Sequence, residues 1–281
     1  MNTFSEEFLS KLRHLEAHLK AHIKGQDHVL PHICSVLQRG ELNLAHPDRP
    51  KGSFLFVGPT GVGKTEVTIC FTNYLFGEGR LHRFDMSEFQ NQSSVGFLLG
   101  GSATDTGMLG CALDKTSRGT LLFDEMEKAH PLVLDLFLQI LDAGRITLAN
   151  GETRSLNNHY IVFTSNIGAS EAMRMESSGF ATIERTVLRR VDQTLRPELV
   201  ARINEKLVFN RLPYTVQREI CEVMIERELE RLNKLGHNLV IEADAIEQLV
   251  RDGYHRTLGA RPMRNAIDRF VQDMVKGILL G

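Results

Sequence analysis

The segment "FLFVGPTGVGKTE", Phe54 to Glu66, constrains the fold more than any other. An apolar run leads into Gly58, four residues, Gly63, Lys64 and Thr65, and a helical pattern follows. That is the strand, loop and helix order in which backbone amides at a helix N-terminus cradle phosphates. Gly58, Gly61 and Gly63 let the chain wrap closely, with Pro59, Thr60 and Val62 between them. Lys64 is placed to neutralise the β and γ phosphates of a nucleoside triphosphate, and the Thr65 hydroxyl to hold Mg²⁺.

Two further strand ends carry chemistry. "TLLFDEMEKAH" is an apolar strand closing on Asp124 and Glu125. A carboxylate there reaches the metal through water, and the next one polarises the attacking water. An acidic pair after a strand is usually a solvated turn, but beside a phosphate loop Asp124 reads as the metal-side ligand and Glu125 as the catalytic base. "YIVFTSNIG" ends at Asn166, whose amide is placed to orient water or touch the γ-phosphate.

Organisation agrees with this. Short apolar runs, "SFLFV", "RFD", "TLLF", "YIVFT" and "KLVF", alternate with helical stretches, which predicts an α/β fold with a parallel five-stranded sheet flanked by helices. Three expected units follow: an N-terminal amphipathic helix over 1–24, a large α/β domain over 25–210 and a small helical domain over 211–281. In the first, Phe8, Leu12, Leu15, Leu19 and Ile23 form a stripe, with Thr3 and Glu6 spaced as a capping box. The charged run "MIERELERLNK" reads as the wet face of a helix in the last unit.

Lys and Arg number 33 against 35 Asp and Glu, so no basic field attracts nucleic acid. No apolar run reaches the roughly 20 residues that span a bilayer. Cys34, Cys70, Cys111 and Cys221 are scattered, as expected of reduced, buried thiols in a cytoplasmic protein. His14, His18 and His22 fall four apart, as do His28 and His32. Such pairs can ligate a metal, but a solvent-facing flank beside the leucine stripe explains them as well.

Together with "KGQD" at 24–27, "DMSEFQ" at 85–90, "ARIN" at 201–204 and "GARP" at 259–262, these motifs resemble the Clp-type AAA+ ATPases, in particular the second ATPase ring of the ClpB and ClpC group. The resemblance covers about residues 20–278. It implies a hexameric ring with ATP and Mg²⁺ bound between subunits, a helical lid domain and a protein substrate. It assigns Asn166 to sensor 1, Arg202 to the arginine finger and Arg261 to the sensor 2 arginine. The family pattern at the finger is "NRID", and here Ala201 and Asn204 replace its Asn and Asp.

Family members grip substrate with "GYVG". One register equates this with "GMLG", Gly107 to Gly110, putting Met108 in the aromatic's place. The other register counts back from Asp124 without gaps and puts Gly107 to Leu113 in the helix after the loop. It leaves only "GSATDT" between Gly100 and Gly107, a short polar loop. The second is preferred because the match also continues without gaps to Asn166, through "DAGRIT" and "NGETRSLNN" around a second pore loop. Proteolysis-linked relatives carry an apolar-Gly-Phe or apolar-Gly-Leu tripeptide near "SSGFA", 177–181. Ser178 replaces its apolar first residue, so docking on a ClpP-type peptidase is not expected. The sequence points to an ATP-driven remodeller of a protein partner, the alternative being a nucleotide-dependent assembly switch without threading.

Overall fold

Side chains alternate across a strand, and the central strands of this chain are buried at every position, so both sheet faces are covered. In β1 (Gly52–Val57) Phe54 and Phe56 enter one core while Leu55 and Val57 enter the other. The same division holds in β3 (Gly119–Asp124) and β6 (His159–Ser165), where Leu122, Tyr160 and Val162 face the first core and Phe123, Ile161 and Phe163 the second. The structure, a computed structural model, describes residues 4–102, 104–175, 178–237, 239–255 and 258–280.

With β2 (Leu81–Asp85) and β7 (Glu205–Val208) these strands form a parallel five-stranded sheet in the order β2-β3-β6-β1-β7. Loops at the carboxyl ends of β1, β3 and β6 therefore lie side by side, where ligands of such sheets bind. One face is covered by α1 (Glu6–His22), α2 (Leu30–Glu41) and α3 (Lys64–Phe76). The other carries α4 (Val95–Leu99), α5 (Gly107–Lys115), α6 (Pro131–Ala143), α7 (Ala169–Arg174), α8 (Phe180–Thr194) and α9 (Pro197–Val200). A hairpin of β4 (Arg145–Thr147) and β5 (Thr153–Ser155) projects from this side.

The last three helices, α10 (Tyr214–Lys234), α11 (Ala243–Gly253) and α12 (Arg261–Leu280), gather around a core of their own that includes Cys221, Ile225, Leu249, Met263 and Ile267. The stripe of α1 is not a free surface. Leu12, Leu15, Leu19 and Ile23 are buried in the core shared with α2 and α3, so the helix is part of the sheet's cover.

Four local expectations change. The α1 cap is Ser5, whose hydroxyl accepts from the Phe8 amide at 3.2 Å, while Thr3 lies outside the described residues. Cys34, Cys70 and Cys221 are buried, but Cys111 is exposed because it lies on the outer side of α5. His18 and His22 are not a solvent flank. They are half-buried, and the His18 ring stacks 4.2 Å from Tyr74 of α3. The charged run of α10 is wet only in part: Arg227 turns inward to pair with Glu66 of α3.

Candidate nucleotide site

The loop after β1 is held by contacts that need glycine. Gly61 has φ +75°, and a Cβ there would lie 2.0 Å from the Leu258 carbonyl oxygen. Gly259, at φ +57°, would in turn drive a Cβ to 2.4 Å from the Gly61 oxygen, and the Ala260 amide donates to that oxygen at 3.0 Å. The loop and the start of α12 thus meet backbone to backbone, a distance only glycine permits. Beneath them the buried Gln26 amide donates to the carbonyls of Val62 (3.1 Å) and Asn210 (2.8 Å) and accepts from the Asn210 N–H. One side chain ties the phosphate loop to the segment that leads into α10.

Lys64 opens α3 and turns back under the loop. Its ammonium donates to the carbonyls of Gly58 (2.5 Å) and Pro59 (2.7 Å) and to Asn166 Oδ1 (3.1 Å). Burial pushes its pKa down to about 8, against the opposing pull of Asp124, Glu127 and Glu125, so it remains a cation at pH 7. Asn166 spends its other end on the acid, donating from Nδ2 to Glu125 Oε1 at 3.2 Å. Its backbone N–H donates to Glu127 Oε1 at 3.0 Å. Lysine, amide and carboxylate form one hydrogen-bonded line across the carboxyl ends of β1, β6 and β3.

Glu125 has φ +56° and ψ +48°, a left-handed conformation that costs a non-glycine residue on the order of 1–3 kcal/mol and concentrates at functional sites. Its N–H donates to Thr164 Oγ1 at 3.1 Å, and its carboxylate pairs with Lys128. Asp124, one residue earlier, is held by Arg83 of β2 and by the Thr164 hydroxyl. A cleft of about 470 Å³ opens above, lined among others by Thr65, Asp85, Asp124, Glu125, Asn166 and Arg261.

The structure thus brings Gly61, Val62, Gly63, Lys64, Thr65, Asp124, Glu125, Asn166 and Arg261 to one cleft. Arg202 stands apart, paired through Nε with Asp142 Oδ1 of α6 at 2.6 Å. Asn204 locks β7 to β1: its Oδ1 accepts from the Ser53 N–H (2.8 Å) and hydroxyl (3.0 Å). Sequence reasoning missed Glu66, which pairs with both Arg227 and Arg264 of the helical domain, and Arg83 against Asp124. Only the proximity of Glu66 to Lys64 gave any hint of it.

Gly107 to Gly110 forms the first turn of α5, as the gap-free register places it. In the loop before it the Asp105 carboxylate accepts from the N–H of Gly101 and of Gly107, each at 2.9 Å, and these amides hold its pKa below the usual carboxylate range. Ala103 lies outside the described residues. The Ala149 N–H of the β4-β5 hairpin donates to Leu99 O at 3.0 Å, so the two loops adjoin. Phe97 on α4 is 69% exposed. In the "SSGFA" segment Ser177 lies outside the described residues, while the Phe180 ring packs edge-on to His28 at 4.2 Å.

A glycine-rich loop at the carboxyl end of β1, paired acids at the end of β3 and a helical domain packed on the loop form the arrangement of a nucleotide-binding α/β protein. The AAA domain (Cdc48 subfamily) matches residues 49–206, and the C-terminal, D2-small domain of ClpB protein matches residues 212–280, so the chain belongs to the AAA family and is of the Clp type. It is 37% identical over 280 residues to chaperone protein ClpB 2 of Nostoc sp., covering 96% of this chain and 32% of that protein. Against the ATP-dependent Clp protease ATP-binding subunit ClpC of Staphylococcus epidermidis the identity is 33%, over 100% of this chain and 36% of the relative. A solved Hsp104-ADP complex from S. cerevisiae superposes with a TM-score of 0.88 at 32% identity, covering 98% of this chain and 49% of that one. The chain therefore spans about a third of the curated relatives it matches.

Proposed function

We propose that this chain hydrolyses ATP and uses the cycle to remodel a protein partner. The observation that carries the reading is the line from Lys64 through Asn166 to Glu125, which joins the phosphate-binding cation to the acid by one amide. Lys64 and the loop amides hold the phosphates. Asn166 fixes the Glu125 carboxylate, and Glu125 takes a proton from the attacking water. Arg261, at the start of α12, reports the phosphates to the lid. Thr65 and Asp124 offer hard oxygen donors in one acidic cleft and fit Mg²⁺, which would neutralise charge on the phosphates.

Arg202, outside its own cleft, suits a finger that completes the site of a neighbour, which makes hydrolysis depend on a homo-oligomeric, hexameric ring. The Asp142 pair keeps its guanidinium oriented, and Asn204 replaces the family's Asp without loosening the strand behind it. In the ring the 100–107 loop would face the substrate path, with Phe97 at its base as the exposed aromatic that meets a protein substrate. Phe180 is engaged by His28, which disfavours its use for docking a peptidase. Nothing in the charge balance favours nucleic acid, and among the described residues no helix is long and apolar enough to cross a membrane. We place the protein in the cytoplasm.

The test is unfolding of a tagged fluorescent protein with ATP turnover recorded in the same tube and Lys64→Ala as control. Unfolding with turnover, both absent in the control, is expected. Turnover without unfolding, accelerated by one specific partner, would replace remodelling by a nucleotide-dependent assembly switch.

A further inference from the structure

The face of α1 that meets α3 carries a second cluster of chemistry next to the nucleotide cleft. One ligand atom each from His18, His22 and Cys70 lies within 4.8 Å of the others. His18 and His22 are one helical turn apart on α1, with ring centroids 4.3 Å from each other, and Cys70 comes from the facing side of α3. The His22 Nδ1 is hydrogen-bonded to the His18 carbonyl at 2.8 Å. That bond requires the proton on Nδ1 and leaves Nε2 with its lone pair, the tautomer found in metal-ligating histidines whose other nitrogen binds a carbonyl. The His18 ring is fixed by stacking on Tyr74.

We propose that His18, His22 and Cys70 form a binding site for a zinc-class divalent transition ion, clipping α1 to α3. Two imidazoles and a thiolate are a donor set that Zn²⁺ accepts, with a fourth position for water. Bond lengths of roughly 2.0–2.3 Å to a shared ion set tetrahedral ligand separations of roughly 3.3–3.6 Å, so the cluster closes by small rotations of three side chains. Burial pushes the Cys70 thiol up to about 11, so it enters the site protonated and releases its proton to solvent as the sulfur binds. Burial also lowers the His18 pKa and keeps that ring neutral, as a ligand must be. Arg227 is the cation facing the cluster, and its guanidinium is committed to Glu66.

The site would bear on the nucleotide. His22 lines the cleft, and Cys70 is on the helix whose first residues are Lys64 and Thr65. An ion here fixes the wall of the cleft that carries His22, on residues that the phosphate chemistry does not use.

The probe is Co²⁺, followed by Zn²⁺ competition, on the full chain without nucleotide. One equivalent is expected, with tetrahedral d–d bands and a thiolate-to-cobalt charge-transfer band. That band marks this site against the oxygen donors near Asp124, and it persists in Lys64→Ala and in Cys111→Ser. Cys70→Ser should remove the band and weaken Zn²⁺ binding by at least about 100-fold, more than loss of an outer-shell partner costs. His18→Gln, on a half-buried face and harmless to the core, should keep the fold by circular dichroism and weaken Zn²⁺ at least about tenfold. A band that survives Cys70→Ser, a band lost in Cys111→Ser, or Zn²⁺ affinity unchanged in His18→Gln would each overturn the site.

Discussion

Two glycine-bounded loops, 58–65 and 100–107, are built on opposite principles. The first is held from outside itself: by Gln26 below, by the Gly259 backbone above, and by Asn166 on the end of a distant strand. The second is held chiefly from within, by one Asp105 carboxylate that bonds both of its ends. A loop fixed by three separate parts of the chain cannot change without disturbing all of them, whereas one closed on itself can shorten or change polarity at little cost to the fold.

The contrast can be broken in several ways. Arg202→Ala should lower turnover of the assembled protein by about 10³–10⁵-fold with ATP affinity unchanged, measured by steady-state hydrolysis and equilibrium binding. Turnover that survives would mean the cleft is complete within one chain. Glu125→Gln should cost about 10²–10⁴-fold in turnover and retain bound ATP; normal turnover would remove Glu125 as the base.

A smaller effect comes from Lys64. Below pH 8 it is already protonated, so ATP binds without proton uptake; above pH 8 binding must restore the proton, and affinity falls about tenfold per unit. A flat dissociation constant between pH 7 and 9 would show that burial does not lower the lysine's pKa to about 8 in the free cleft. On the other loop, Phe97→Ala should slow unfolding of a model substrate several-fold and leave turnover alone. The smallest effect is expected of Asp105→Asn, with turnover unchanged and faster amide exchange at Gly101 and Gly107. Acidification acts likewise. The folded carboxyl titrates below its unfolded value, so its two bonds are intact above the ordinary carboxylate range and are lost as pH falls through the lowered one. Turnover that drops with Asp105→Asn would mean the two loops are coupled after all.

The strands of the main sheet were legible because β1, β3 and β6 carry apolar runs at their centres, while β2 and β7, half polar, were placed by the alternation of strand and helix. The loop, the Asp124–Glu125 pair and Asn166 were legible because their chemistry is local to a strand end. Partners remote in sequence were not. Glu66 meets Arg227 and Arg264 only because the helical domain folds back over α3, and Gln26 meets Asn210 from 184 residues away in the sequence. His18 and His22 were misread for a related reason, whereas His14 is exposed as expected. A helix packed on two neighbours buries more than one stripe, and the periodicity that identified the leucines carried no information about the second face.

The helical domain is joined to the phosphate loop by two attachments of different kinds. At Gly61 and Gly259 the backbones touch in a close fit with one uncharged hydrogen bond, from the Ala260 N–H to the Gly61 carbonyl. Some residues away, Glu66 holds Arg227 and Arg264 by charge, which dissolved salt screens. Such a pairing behaves as a hinge pin and a latch. Rising ionic strength is expected to weaken the latch before the pin, which would leave the helical domain attached at Gly61.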